Sequence, residues 1–160
     1  MEKNRLLAPC YKTLVLSVFA LLLVSCSMPR IVVLRDPLTP EEHINLGVSY
    51  ERSREYDAAL KEYDAASKKL PIALLYMGNI HFQQGSIDKA EHLYRQAIQK
   101  TGDARAYNNL AWLYYTTNKS LDKAEELGRK AVDLAPGSSD FKDTLDKILE
   151  KRGAEKAHQE

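Results

Sequence analysis

From residue 40 onward, apolar and small residues recur three or four positions apart, and short clusters rich in Gly, Pro, Asn, Asp and Ser interrupt them. That spacing is the helical one. It predicts helices over 40–54, 57–69, 72–84, 87–100, 104–117, 121–134 and 139–152. Pro40 before Glu41 and Glu42 suits a helix start, since proline costs nothing in a first turn and acids favour the positive end of the dipole. Ser86, Asp103 and Ser120 are expected N-caps, and Asn118 is expected to supply a left-handed turn residue. Before residue 30 the pattern changes. Lys3, Arg5 and Lys12 precede the 12-residue apolar run TLVLSVFALLLV, Thr13 to Val24. The run is too short for the ~20 residues that span a bilayer and has the length of a signal-peptide core.

The predicted helices pair and repeat. Leu46-Gly47-x-x-Tyr50 is followed by Ala59-x-x-x-Tyr63-x-x-Ala66 and Pro71. A second copy reads Met77-Gly78-x-x-His81, then Ala90-x-x-x-Tyr94-x-x-Ala97. A third reads Tyr107-x-x-Leu110-Ala111-x-x-Tyr114, Ala124-x-x-x-Gly128-x-x-Ala131 and Pro136. This series resembles the tetratricopeptide repeat (TPR) family over residues 39 to 137. The resemblance implies an all-α fold: TPR-like helix-turn-helix repeats in a short right-handed solenoid. Small residues on both helices of a pair are expected to let the axes approach with no side chain between them.

Gly47 and Gly78 are 31 residues apart, against about 34 in the family, so the connection at Pro71 is tight or one helix is short. The segment from Asp140 looks like a repeat's first helix with Asp146 where the small residue belongs, which reads as a polar cap on the stack. Gly128 stands where an aromatic is expected, and Phe141 from the cap is expected to fill the gap. The domain is thus drawn as 39–152, with a frayed tail over 153–160.

Leu23-Val24-Ser25-Cys26, closing the apolar run, resembles a bacterial lipobox. The resemblance implies a signal peptide over 1–25, acylation of Cys26 and a lipidated tether over 26–38. Ser27 is not the aspartate of inner-membrane retention. The implied location is therefore the cell envelope, on the periplasmic face of the outer membrane in a cell that has one. Ile31 to Leu34 is apolar without helical period.

Charge adds no other partner. The net charge is +1, and from Cys26 onward 20 basic and 21 acidic residues are interspersed, so no bulk field draws nucleic acid. Both cysteines, Cys10 and Cys26, precede the domain, which removes a disulfide scaffold or thiol chemistry within it. His43, His81, His92 and His158 form no i, i+4 pair, and no phosphate-binding glycine loop or nucleophile elbow is present. The chain reads as a non-enzyme without metal or cofactor.

In TPR proteins ligands lie along the first helix of each pair. The positions there that the seam leaves over include Leu75, Tyr76, Asn79, Phe82 and Gln83 from repeat two, with Arg105, Asn109, Trp112 and Tyr115 from repeat three. Tyr76, Asn79, Phe82, Arg105, Asn109, Trp112 and Tyr115 form the expected peptide groove, both amides facing solvent. Asn79 and Asn109 match two positions of the family's carboxylate clamp, but Leu75, Asp140 and Thr144 stand where its basic residues belong, so the clamp does not carry over. The resulting expectation is an envelope scaffold for a protein or peptide partner, reaching the membrane through its lipid. Its alternatives are an accessory lipoprotein of a pilus or secretion assembly, or of a C39-like peptidase system.

Overall fold

The structure, a computed structural model, describes residues 37–157. The expected signal peptide, Cys26, most of the tether and His158 lie outside the described residues. Seven helices make up the described part: α1 Pro40–Arg52, α2 Tyr56–Ser67, α3 Ala73–Gln83, α4 Ile87–Thr101, α5 Ala104–Thr117, α6 Leu121–Leu134 and α7 Ser139–Ala157. No strand occurs among these residues, and no helix among them is long and apolar enough to cross a membrane.

Local chemistry sets the helix ends. Thr39 caps α1 in a reciprocal box: its Oγ1 accepts from the Glu42 amide at 3.2 Å while its own amide donates to Glu42 Oε2 at 2.7 Å. Asp103 accepts from the Arg105 amide at 2.8 Å, and Ser120 from the Lys123 amide at 3.4 Å. Ser86, expected to cap α4, makes no such bond. Its backbone (φ −80°, ψ 67°) leaves the extended region from which a cap hydroxyl reaches the first turn.

The turn inside each pair has a left-handed residue at one register position: Arg54 (φ 62°), Gly85 (φ 73°) and Asn118 (φ 52°). Between pairs, Ala73, Leu74 and Leu75 donate to carbonyls only three residues back, at 3.0, 3.1 and 3.0 Å, and wind the chain tightly into α3. This tight start, with α3 only 11 residues long, accounts for the shortened first spacing.

Consecutive helices pack on one another throughout, and α3 also meets α5 while α5 meets α7. With the Gln83 amide of α3 also 3.5 Å from Glu51 of α1, the odd-numbered helices form one layer. Tyr63, Tyr94, Leu110, Leu113 and Ile148 are fully buried between the layers. The helices of a pair do not approach bare. A Cβ built on Gly47 would stand 2.5 Å from Tyr63 Cε1, and one on Gly78 would stand 2.5 Å from Tyr94 Cε1. The glycines leave room for a tyrosine ring from the second helix, which corrects the expectation of axes with no side chain between them.

In the third pair the first helix carries Ala111 and the second carries Gly128. The space above Gly128 is taken from α7 by Leu145 and Ile148, whose Cδ1 atoms would lie 3.3 and 3.6 Å from an added Cβ. Phe141, expected there, is only half-buried. The last helix also runs past 152 to Ala157, so the drawn tail is helical over 153–157. Arg152 holds this end down by pairing with Asp122 at 2.8 Å and with Glu125, both on α6.

Candidate functional site

The layer of α1, α3, α5 and α7 carries the residues singled out in the sequence, and the tyrosines that cross the glycines reach it from behind. Tyr63 donates to Glu51 Oε2 on α1 at 2.8 Å. Burial and the adjoining Glu51 carboxylate push the Tyr63 hydroxyl far above its ordinary range, so it stays a donor. Tyr94 donates to Asn79 Oδ1 on α3 at 3.0 Å, and its pKa is raised by burial first and by the Glu51 charge second.

The same Asn79 oxygen accepts from Asn109 Nδ2 on α5 at 2.8 Å. Asn79 and Asn109 are thus brought together, half-buried, in a chain of bonds that starts at Tyr94. The expectation that both amides face solvent in the free protein is corrected: the close spacing of α3 and α5 makes them partners.

Tyr76 stacks on Tyr63 with ring centroids 5.2 Å apart and planes at 23°. Arg105 stands nearby, its fork held by Asp103 through Nε–Oδ1 at 3.0 Å and Nη2–Oδ2 at 2.8 Å. That pairing holds the Asp103 carboxyl below its usual range. Phe82 is half-buried and packs on the core of repeats two and three, so it contributes to the stack more than to an open surface. Leu75, counted among the leftover first-helix positions, is 3% exposed and belongs to that core.

Trp112 and Tyr115 lie 5.1 Å apart on α5. Helix α7 crosses this pair: Lys147 Nζ sits 5.7 Å above the Trp112 ring and Lys151 Nζ 5.0 Å above Tyr115. Lys151 also donates to the Tyr115 carbonyl at 3.1 Å. The far end of the layer is therefore aromatic with an ammonium on each ring. At the near end, Val48, Glu51, Arg52, Tyr76, Asn79 and Gln83 line a hollow of about 360 Å³.

Sequence reasoning missed two polar centres. Glu91 on α4 accepts from Tyr114 at 2.7 Å, Lys119 at 2.6 Å and Arg95 at 3.0 Å. Burial opposes its ionisation, but these bonds outweigh it and hold the carboxyl at about 2. Tyr114 and Lys119 come from the next repeat, so the cluster ties repeats two and three at the back of the layer. His43, nearly buried, meets Glu62 at 2.7 Å across the first pair. The spacing of Glu91 to Lys119, 28 residues, carries no sequence signal without the fold. Among the described residues no three His, Cys, Asp or Glu side chains gather as a metal site.

The family model for the tetratricopeptide repeat matches residues 44–101 and 75–139. The first TPR domain of Spaghetti (RPAP3), solved bound to the HSP90 peptide SRMEEVD, superposes with a TM-score of 0.64 at 18% identity, over 74% of this chain and 96% of that one. The Sgt2 TPR domain from Aspergillus fumigatus gives 0.65 at 20%, over 76% and 82%. A tetratricopeptide repeat protein from Parabacteroides merdae gives 0.63 at 20%, over 74% of this chain and 48% of that one.

Proposed function

The chain belongs to the tetratricopeptide repeat family, and from that premise we propose that it is a non-enzymatic protein-interaction module. It takes an extended partner segment along the layer of α1, α3, α5 and α7. The observation that carries this reading is the pre-set row of groups on one face. Glu51 is fixed by Tyr63, Asn79 by Tyr94 and Asn109, and the Trp112–Tyr115 pair by two lysines. Side chains already held in place lose little freedom when a guest arrives, which favours recognition. The Spaghetti domain, similar in fold, was solved with a peptide bound. The basic clamp residues of the family are replaced here by Leu75, Asp140 and Thr144, so the guest is held by other chemistry.

The second part of the proposal is the address. Cys26 after the apolar run supports a lipid anchor on the bacterial envelope, with the module displayed beyond a short tether. A photoreactive residue at Gln83 of the full chain, expressed in bacteria, is expected to cross-link a partner, whereas one at Lys61 or Lys130 is not. Cross-links from Lys61 or Lys130 alone would move the site to the other face. Cys26→Ala is expected to abolish labelling by fatty acid, and unchanged labelling would remove the anchor.

A further inference from the structure

The near end of the layer differs in chemistry from the rest. The hollow lined by Val48, Glu51, Arg52, Tyr76, Asn79 and Gln83 is large enough, at about 360 Å³, for the end of one long side chain. One oxygen of Glu51 is occupied by the Tyr63 hydroxyl at 2.8 Å, which fixes the direction of the carboxylate. The other meets only the Gln83 amide, at 3.5 Å, and retains acceptor capacity toward the hollow. Among the described residues Glu51 has no ion-pair partner. Beside it stand the ring of Tyr76, itself backed by Tyr63, and the side chain of Asn79. An oriented, unpaired carboxylate next to a stacked aromatic pair suits an elongated apolar stem ending in a cation.

Arg52 also lines the hollow. It is exposed at the last turn of α1 and makes no ion pair with Glu51. Its long arm is free to lie in water, whereas the Glu51 carboxylate is held by Tyr63. Of the two charges that line the hollow, the negative one is the one fixed in place.

We propose that this hollow is a subsite for a lysine or arginine side chain of the partner segment, received by Glu51 and flanked by Tyr76 and Asn79. The proposal rests on the peptide-groove reading and specifies the guest: a segment with a basic residue at a fixed register. This recognition is opposite in sign to that of a basic clamp for carboxylates.

The test uses a phage-displayed random decapeptide library selected against the full chain in neutral detergent. Selected peptides are expected to share a Lys or Arg at one aligned position. Replacing that residue by norleucine, or Glu51 by Gln, is expected to weaken binding about tenfold at low salt. Glu51→Gln retains an amide oxygen able to accept from Tyr63, and its circular dichroism is expected to match that of the wild type. Asp57→Asn, an exposed acid elsewhere in repeat one, is expected to change nothing. Groove peptides without an aligned basic residue, or with one indifferent to Glu51→Gln, overturn the subsite and leave the groove standing. Selection of no peptide sensitive to substitutions at Tyr76 or Gln83 overturns both.

Discussion

The Tyr94 hydroxyl donates to Oδ1 of Asn79 at 3.0 Å, reaching past Gly78 from the opposite helix layer. The ring is 2% exposed, so water cannot replace this partner. Asn79→Ala is therefore expected to destabilise the fold by about 1–3 kcal/mol through an unpaired buried hydroxyl. Tyr94→Phe removes the need, so the double variant should cost less than the sum of the two single changes. Strict additivity in urea unfolding would show that the bond contributes nothing.

Glu91 makes stability depend on acid. Its folded pKa, about 2, lies below the ordinary value of 4.5, so its contribution is complete above pH 4.5 and is lost as pH falls toward 2. The contribution, reduced by partial solvent screening, is on the order of 1–2 kcal/mol. Wild type should lose that much more stability than Glu91→Gln between pH 4.5 and 2. Parallel curves from chemical denaturation would dismiss the role.

Arg54 holds a left-handed backbone (φ 62°) where the second repeat has Gly85. A side chain there costs about 1 kcal/mol. Arg54→Gly should raise stability by about 0.5–1 kcal/mol, and Gly85→Ala should lower it by a similar amount. Thermal unfolding of both variants reads the signs, and a loss in Arg54→Gly would contradict the account.

Ile148 is fully buried and stands over Gly128. Ile148→Ala is expected to cost about 2–4 kcal/mol, and removing residues 138–160 more than that. The truncated chain should also shift Trp112 emission, since Lys147 and its helix leave the ring. An unchanged unfolding midpoint would reduce α7 to an appendage.

The repeat was legible in the sequence because its signals are local. Helical period, the Gly–Tyr and Ala spacings, and the Asp103 and Ser120 caps all lie within a turn or a pair of helices. Helix ends fell within two residues of expectation except for α7, which runs on to Ala157 past the Arg152 pairs with acids on α6. The first-helix positions singled out for a groove were legible as a set, but their mutual contacts were not. Asn79 and Asn109 meet 30 residues apart, and Lys151 reaches Tyr115 from 36 residues on. Such pairings depend on how closely one repeat stacks on the next, which no spacing within a repeat encodes. Ser86 failed as a cap for a related reason: residue type suggested it, but the backbone angle decided.

The exchange of glycine between partners in the third pair gives the array a direction of growth. Repeats one and two carry the same fit, a ring from the second helix seated on a glycine of the first. A duplicated copy of the 31-residue unit from Gly47 to Met77, spliced ahead of repeat three, would bring its own ring and its own seat. A copy spliced after repeat three would meet Gly128, a seat shaped by Leu145 and Ile148 and by no tyrosine. In a lineage of such chains, length should therefore vary upstream of residue 104 while the third repeat and its closing helix are inherited as one block.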